Sequence, residues 1–286
     1  MRLCTSAALR EKEDIVLREK NKKMEQVFVI KIGGSVIDDP NALERFLADF
    51  AAIGGRKILV HGGGKIATRI GDQLGIVSNY TDGRRITDDA TIDLVTMVYG
   101  GLVNKKIVAS LQSIHCNALG ITGADGNLLP ADKRPVKTID FGWVGDVRDA
   151  DIPVDRWQQL LDNQFIPVLA PLTHDGAGHI LNTNADTMAA SIAVALSKKY
   201  RVRLLYCFEK KGVLESVADD NSVIPSINRE QYTQLKATQK LFAGILPKID
   251  NAFAAIEAGV AEVLIGHADD LLQNTGPTTT GTLITA

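Results

Sequence analysis

Two glycine-rich stretches, each directly after a short nonpolar run, have the residue types and spacing that best suit chemistry. "VFVIKIGGS" (27–35) places a lysine and two glycines at the end of a predicted strand, and "VHGGGKIATRIG" (60–71) places three glycines between a strand and a helix. Glycines let backbone N–H groups approach an anion, and the N-terminus of a helix adds a positive dipole end. The spacing therefore predicts two anion-binding loops.

Lys31 belongs to the first loop and is the residue best placed to act on a transferred group. In an open parallel sheet both loops would lie at the carboxyl ends of strands, where ligands bind. Two such loops side by side suit a group that passes between two anionic molecules, and an ammonium would neutralise charge on a phosphoryl group in transit. The alternative is a surface lysine whose stem lies along nonpolar neighbours, which the flanking glycines disfavour.

A dinucleotide-binding loop is a competing interpretation of the second stretch. Gly62, Gly64 and Ala67 fit that fingerprint and Asp82 follows about 20 residues later, so the chain would be an NAD(P)-dependent oxidoreductase. Against this, the acid of the fingerprint ends a strand, whereas "IVSNYTD" is a poor strand, and Lys31 is left without a function. The phosphate-binding pattern GxxxxGK[ST] does not occur in the sequence.

The elements that must position these loops alternate between short nonpolar strands and helices from residue 27 onward. The predicted strands are "VFVIKI", "KILV", "CNALGIT", "FIPVLA", "VRLLYCF" and "AEVLI", and the predicted helices include "NALERFLADFAAI", "GKIATRIGDQLG", "ADTMAASIAVALSKKY" and "PKIDNAFAAIEAG". This order predicts a mostly parallel α/β sheet covered by helices on both faces. Residues 135–148 predict a small antiparallel hairpin beside it.

The composition bounds the class of protein. The chain has 286 residues, 45% of them hydrophobic, which is enough for one large core or two small ones. A net charge of −2 provides no basic field for nucleic acid, and no nonpolar run approaches the roughly 18 residues of a membrane span. The scattered cysteines Cys4, Cys116 and Cys207 indicate reduced thiols and a cytoplasmic location.

Two further expectations concern the N-terminus and the histidines. Residues 1–25 are expected to form a charged extension, which is either disordered or an oligomerisation helix. The five histidines show no metal-binding spacing and are expected in loops and on the surface.

Five short motifs occur in an order and spacing that resemble the amino acid kinase family. They are "KIGGS" (31–35), "HGGG" (61–64), "DGRRIT" (82–87), "NTNAD" (182–186) and "AGILPK" (243–248). The resemblance covers about residues 26–286 and is greatest to the branch that acts on N-acetyl-L-glutamate. It implies a single domain, a three-layer α/β/α sandwich around a mainly parallel sheet. Residues 26–180 would hold the acyl amino acid and residues 181–286 the nucleotide.

The resemblance also implies a reaction. ATP, with Mg²⁺ held mostly by its phosphates and no dedicated metal site on the protein, would phosphorylate the side-chain carboxylate of an N-acyl-L-glutamate in arginine biosynthesis. N-acetyl-L-glutamate is the default substrate. A carboxylate with a pKa of about 4.3 is already ionised at pH 7, so the reaction needs charge stabilisation and alignment but no general base.

Catalytic roles follow from three of the motifs by resemblance. Lys31 and Lys248 would stabilise the transferred phosphoryl group from two sides, Asp186 would hold both lysines, and Gly34 would donate its backbone N–H. Asp186 could instead be a turn or N-cap residue of the following helix. Retention of both lysines and of the carboxylate argues against another class of function, a non-catalytic amino acid sensor.

The acyl amino acid would be bound by Gly63, Gly64, Arg85 and Asn182. Arg85 would pair with a free carboxylate, with Arg84 as its rival in the same loop. Asn182 would contact the carboxylate or the amide, or could be only a turn or cap residue.

The identity of the substrate leaves alternatives open. A succinyl group in place of acetyl would need a further cation, for which Arg84, Lys105 and Lys106 are candidates. Carbamate, uridylate, glutamate and aspartate kinases belong to the same family, and Arg85 with "NTNAD" disfavours them.

The nucleotide side departs from the family pattern. By resemblance its residues are Glu209, Lys211 and Gly212, and Glu209 stands where the family usually has an aspartate. The long helical stretch 90–114 could be core alone, but in the family it forms the dimer contact. A homodimer is therefore expected, with Val95, Val98 and Leu102 at its interface.

Overall fold

An eight-stranded sheet runs through the part of the chain that the computed structural model describes, which is residues 24–81, 83–216, 218–237 and 245–285. The strands are β1 Gln26–Ile32, β2 Arg56–His61, β3 Tyr80–Thr81, β4 Arg84–Arg85, β5 Ala118–Ile121, β6 Ala131–Lys133, β7 Gly145–Val147, β8 Ile166–Leu169, β9 Leu172–His174, β10 Ile180–Asn182, β11 Arg201–Phe208, β12 Ser226–Ile227, β13 Glu262–His267 and β14 Thr282–Ile284. The order in the sheet is β12-β14-β13-β11-β1-β2-β8-β5. β13 and β14 pair antiparallel and the other neighbours are parallel, so the predicted mostly parallel sheet is confirmed.

Strand β1 lies at the centre of the sheet, and its position explains its composition. It pairs with β11 on one edge and with β2 on the other. Val27 and Val29 are fully buried on one face, and Phe28 and Ile30 are buried on the other. Because successive side chains point to opposite faces, a strand covered on both faces is nonpolar throughout, and in β1 this holds until Lys31.

Helices cover both faces of the sheet and complete three layers. Their bounds are α1 Gly34–Asp38, α2 Pro40–Ala52, α3 Gly64–Leu74, α4 Asp89–Val95, α5 Asn104–Ser113, α6 Val154–Asp162, α7 Ala185–Ser197, α8 Arg229–Ala237, α9 Leu246–Glu257 and α10 Leu271–Thr275. On the face of Val27, the buried residues of α6, α7 and α9 include Trp157, Met188 and Phe253. α2, α4 and α5 cover the opposite face. The predicted α/β/α sandwich is confirmed.

The predicted helical stretch 90–114 is helical, but its centre is a π-helix, Thr96–Val103, between α4 and α5. Val95 is fully buried and Val98 is 3% exposed, because both pack into the core cluster beneath the sheet. Their proposed place in a dimer interface is therefore wrong. Leu102 is 39% exposed and Met97 is 57% exposed, so the outer side of the π-helix presents nonpolar surface.

Short strand pairs lie beside the main sheet. β6 and β7 pair antiparallel, so a hairpin is present, but its first strand precedes residue 135, where the predicted hairpin was expected to begin. β3 pairs with β4 and β9 with β10, also antiparallel. Within the described ranges, no helix has the length and nonpolar character needed to cross a membrane.

Candidate functional site

Lys31, Asp186 and Lys248 meet at the carboxyl end of β1. The Lys31 ammonium lies 2.7 Å from one carboxylate oxygen of Asp186, and the Lys248 ammonium lies 2.7 Å from the other. Lys31 follows the alternation of β1 onto the face of Val27 and Val29, which α7 covers. Asp186 lies in the first turn of α7 and Lys248 in the first turn of α9. Three segments distant in sequence thus place three charges together.

A neighbouring asparagine caps α7 and leaves Asp186 to the lysines. The Asn184 side chain accepts a hydrogen bond from the Thr187 N–H at 3.0 Å. Asn182 Nδ2 instead donates to Thr87 Oγ1 at 3.0 Å. The alternative in which Asp186 or Asn182 is the N-cap of this helix is therefore wrong.

The carboxylate between the two lysines stays ionised. Burial by itself would raise the pKa of Asp186, but the Lys31 and Lys248 ammonium groups outweigh burial and lower the pKa from 3.8 to about 2. The side chains of Lys31, Asp186 and Lys248 are 12%, 17% and 24% exposed, so water screens the cluster only in part. Two cations and one anion leave a net positive charge, which suits a phosphoryl group.

Tyr206 contacts two members of this cluster, Asp186 and Lys248, a role that the sequence analysis did not predict. It lies opposite Lys31 in the register of β1 and β11. Its hydroxyl donates to the backbone carbonyl of Asp186 at 3.2 Å, and its ring centre lies 6.0 Å from the Lys248 ammonium. Burial raises the pKa of the Tyr206 hydroxyl, so it remains a donor.

The two glycine loops lie side by side, as predicted. The Gly33 N–H donates to the Cys207 carbonyl at 3.1 Å and fastens the first loop to β11. A Cβ atom on Gly62 would lie 3.7 Å from the backbone nitrogen of Gly34, so the loops approach each other closely. Gly34 begins α1 at this point. Whether these N–H groups bind an anion stays a prediction.

Gly63 has a conformation and surroundings that exclude a side chain. Its φ is 156°, and a Cβ atom there would lie 2.9 Å from the Tyr99 ring. Gly64 begins α3, and its carbonyl accepts a hydrogen bond from Arg85 at 2.9 Å. The second loop is thus held between the Tyr99 ring and the Arg85 guanidinium.

A cleft of about 220 Å³ opens beside the second loop. Its lining includes the predicted substrate residues Gly63, Gly64, Arg85 and Asn182. Arg85 is 6% exposed and also donates to Thr68 Oγ1 at 2.9 Å. A guanidinium held in one orientation at a small cleft suits a carboxylate ligand.

The other cations considered for the substrate lie in different places. Arg84 is exposed and lines the same cleft. Lys105 donates to Asn104 Oδ1 and the Gly120 carbonyl, and Lys106 lines a separate groove.

The predicted nucleotide residues each have a different contact. The Ser35 hydroxyl donates to Glu209 at 2.7 Å and so links the first glycine loop to the loop after β11. Burial would raise the pKa of Glu209, but this hydrogen bond, with smaller contributions that include the Lys248 charge, lowers it. Lys211 donates to Asn221 at 2.9 Å. Gly212 is required by packing, since a Cβ atom would lie 2.6 Å from Thr282 Oγ1.

A larger groove of about 980 Å³ lies between α2, α3 and α5, away from the lysine pair. Its lining is largely nonpolar and includes the basic residues Lys65, Arg69 and Lys106. We assign the substrate site to the smaller cleft, because the second glycine loop and the buried Arg85 guanidinium line it.

His61 is the clearest error of the sequence prediction. It was expected in a loop or on the surface, but it is the last residue of β2 and has no exposed surface. Its Nδ1 lies 2.7 Å from the Gly62 carbonyl, and its Nε2 lies 3.1 Å from Asn104 Nδ2. The position directly after a predicted strand and before the glycines was the available signal.

The dinucleotide interpretation finds little support in the topology. The strand after the second loop is β3, two residues long and paired with β4 outside the main sheet, whereas the fingerprint requires a parallel strand. Asp82 lies outside the described residues, as do Ala243 and Gly244 of the last motif. Among the residues that are described, no group of three His, Cys, Asp or Glu side chains could hold a metal ion.

Comparisons with known proteins agree with the motifs. Residues 26–267 match the amino acid kinase family. The chain is 53% identical to the acetylglutamate kinase of Cytophaga hutchinsonii over 251 residues, which cover 87% of this chain and 94% of that protein. It is also 53% identical to the acetylglutamate kinase of Bacteroides thetaiotaomicron, covering 88% of this chain and 97% of that protein.

A solved structure extends the comparison to the fold. N-acetylglutamate synthase of Neisseria gonorrhoeae, determined with coenzyme A and N-acetyl-glutamate, superposes with a TM-score of 0.76 at 23% identity. The match covers 94% of this chain and 62% of that chain, so this chain spans less than two thirds of the synthase. At this identity the likeness is one of fold.

Proposed function

This chain belongs to the amino acid kinase family, and from that premise we propose that it transfers the γ-phosphoryl group of ATP to the side-chain carboxylate of N-acetyl-L-glutamate. The family predicted from the motifs is confirmed, and the chain is a kinase whose most similar relatives include acetylglutamate kinases. The proposed products are an acyl phosphate and ADP. We place the reaction in the cytoplasm and in arginine biosynthesis.

One observation carries the proposal: two ammonium groups are held 2.7 Å from the two oxygens of a single partly buried carboxylate, beside two glycine loops. A phosphoryl group in transfer spreads negative charge over its oxygens, and catalysis consists mainly of charge stabilisation and positioning. Lys31 and Lys248 come from different elements and would approach that charge from two sides. Asp186 keeps both ammonium groups fixed, which removes the reorganisation that free lysines would need.

The chemical step balances without a protein base. A carboxylate oxygen of the substrate, ionised at pH 7, attacks the γ-phosphorus, the bond to the β–γ bridging oxygen breaks, and ADP leaves with that electron pair. Lys31, Lys248 and the N–H groups of Gly34 and Gly63 would stabilise the charge that develops. No proton needs to be transferred in this step.

The residues present fit a Mg²⁺ ion that arrives with the nucleotide. Both oxygens of Asp186 are engaged by ammonium groups, so this carboxylate is not a metal ligand in this arrangement. When bound to ATP, Mg²⁺ neutralises part of the phosphate charge. Glu209, Lys211 and Gly212 remain the proposed nucleotide residues, with Ser35 holding Glu209.

The acyl amino acid would occupy the small cleft. Arg85 would pair with the α-carboxylate. Asn182 already donates one N–H of Nδ2 to Thr87. Its Oδ1 or its second Nδ2 N–H would form a hydrogen bond with the acetamido group of the substrate. Gly63 and Gly64 leave room for the substrate backbone. We further propose a homodimer formed through the outer side of the π-helix, where Met97 and Leu102 are exposed.

The test of the proposed function is ADP release from MgATP, with the acyl phosphate trapped by hydroxylamine as a hydroxamate. N-acetyl-L-glutamate, N-succinyl-L-glutamate, L-glutamate and L-aspartate are compared at equal concentrations, and we expect the highest kcat/KM with N-acetyl-L-glutamate. Lys31→Met should abolish hydroxamate formation, while the control Lys199→Met, at a surface ion pair with Asp155, should not. Folded wild-type protein that yields hydroxamate with none of these substrates would refute the proposal.

A further inference from the structure

The proposed chemistry leaves one buried titratable group without a role, the imidazole of His61. Both of its ring nitrogens have partners, the Gly62 carbonyl at 2.7 Å from Nδ1 and Asn104 Nδ2 at 3.1 Å from Nε2. The ring has no exposed surface and lies directly before the second glycine loop. It therefore contacts the loop but not the substrate cleft.

The partners of Asn104 decide which nitrogen of His61 carries the proton. Asn104 Nδ2 lies 2.9 Å from the Val168 carbonyl, which only accepts, and Asn104 Oδ1 lies 3.1 Å from the Lys105 ammonium, which only donates. The orientation of the amide follows, and Nδ2 donates to His61. Nε2 is then the acceptor, the ring is neutral, and Nδ1–H donates to the Gly62 carbonyl.

This hydrogen bond acts on the peptide group that carries a proposed catalytic donor. The Gly62 carbonyl and the Gly63 N–H belong to one planar trans peptide, so they point in opposite directions. A carbonyl held toward the buried ring directs the Gly63 N–H away from the ring. Gly63 lines the cleft, and Tyr99 packs against it.

The π-helix brings both supporting side chains to the loop. Tyr99 lies within Thr96–Val103, and Asn104 follows directly as the first residue of α5. One contacts Gly63 and the other contacts His61. A π-helical segment of this kind often marks a functional site, because it shifts the residues that a regular helix would present.

We propose that His61 and Asn104 are positioning residues, which hold the Gly62–Gly63 peptide so that the Gly63 N–H faces the phosphoryl group or the attacking carboxylate. The inference rests on the proposed function for the identity of those groups. Loss of the hydrogen bond lowers kcat more than it changes KM, because a preorganised donor acts mainly in the transition state.

The first test does not depend on activity. In wild-type protein labelled with ¹⁵N-histidine at pH 7, His61 should show a protonated Nδ1 and an unprotonated Nε2. The remaining signals are assigned with single Gln variants of the other histidines, His115, His174, His179 and His267. A protonated Nε2 on His61 would overturn the inference, whatever substrate the enzyme uses.

The second test separates the hydrogen bond from packing. His61→Asn places an amide N–H near the position of Nδ1 and should keep kcat within about 5-fold, whereas His61→Leu should lower kcat by about 10- to 100-fold. KM for MgATP should change by less than about 3-fold in both. His174→Leu, on the β9–β10 hairpin, is the matched control and should behave like the wild type.

Equal losses of kcat in His61→Asn and His61→Leu would contradict a positioning role and leave only packing. If His61→Leu does not fold, Asn104→Leu replaces it, with the same expected fall in kcat. Wild-type protein that forms no hydroxamate would refute the proposed function, while the ¹⁵N spectrum would still decide whether His61 holds the peptide.

Discussion

Asp186→Asn removes the one negative charge between two ammonium groups and tests the site most directly. The lowering of the Asp186 pKa from 3.8 to about 2 corresponds to about 2.5 kcal/mol of net stabilisation of the charged form, at about 1.4 kcal/mol per pKa unit. The side chain is 17% exposed, so screening reduces this only modestly. We expect the free energy of unfolding at pH 7 to fall by about 2 kcal/mol, which lowers Tm by roughly 4 °C in a chain of this size.

The pH dependence of this difference has a definite sign. Because the pKa of Asp186 is lower in the folded state, its contribution is complete above the ordinary value and is lost as pH falls through the folded value. The stability gap between the wild type and Asp186→Asn should therefore narrow as pH falls from about 4 toward 2. Urea unfolding at several pH values measures this gap.

The catalytic effect of Asp186→Asn should be larger than its effect on stability. Lys31 and Lys248 would repel each other without the carboxylate, and we expect kcat to fall by about 10²- to 10³-fold with KM for N-acetyl-L-glutamate changed less than about 3-fold. Asp175→Asn is the matched control, because it also removes a carboxylate with a pKa of about 2 but lies away from the lysine pair. Burial would raise the pKa of Asp175, but hydrogen bonds from His179 and the Ala177 N–H lower it. We expect kcat of this control to match that of the wild type. A kcat of Asp186→Asn within threefold of the wild type would refute the reasoning.

Three further predictions concern other parts of the site. Lys248→Met should lower kcat by about 10²-fold or more in the hydroxamate assay, because one side of the phosphoryl group loses its cation; an unchanged kcat would remove Lys248 from the mechanism. Gly63→Ala should destabilise the fold by about 2–4 kcal/mol in urea unfolding, since the φ of 156° and the 2.9 Å approach to the Tyr99 ring leave no space for a methyl group. Gly64→Ala is the control, because a methyl group there would lie in open space, and it should unfold like the wild type. Burial, with a smaller contribution from Lys105, lowers the pKa of His61 from 6.5 to about 4. Between these two pH values the unfolded chain protonates the imidazole and the folded protein does not. The free energy of unfolding should therefore fall by about 2 kcal/mol between pH 7 and pH 5 because of His61. In His61→Asn the free energy of unfolding should fall by about 2 kcal/mol less over this pH range than in the wild type. Identical curves of the free energy of unfolding against pH for the two proteins would contradict a lowered pKa of His61.

Much of the site's outline was predictable from local patterns. A nonpolar run that ends in Lys31 and two glycines indicates a buried strand that stops at a ligand, because side chains on a strand covered on both faces are nonpolar until the strand emerges. The order of five motifs predicted the family, which the comparisons confirm. The roles of Arg85, Asn182 and the nucleotide residues remain predictions.

The parts that were missed depend on contacts between distant segments. His61 was expected in a loop or on the surface because the histidines show no metal-binding spacing. Its two hydrogen bonds, one of them to a residue 43 positions away, instead satisfy the ring inside the core. Val95 and Val98 were assigned to a dimer interface because the corresponding helix forms the dimer contact in the family that the motifs resemble. Nonpolar character alone does not tell which side packs against the sheet of the same chain.

The sequence by itself determined the alternation of strands and helices, the two glycine loops and the family, because these follow from residue types at short spacing. Only the tertiary structure decided that Lys248 reaches Asp186 across 62 residues and that Ser35 reaches Glu209 across 174. It also decided that Asn184 rather than Asp186 caps α7. The physical reason is that a charge pair, a cap or a buried hydrogen bond is defined by distance in space, which the packing of helices on the sheet sets and local sequence does not.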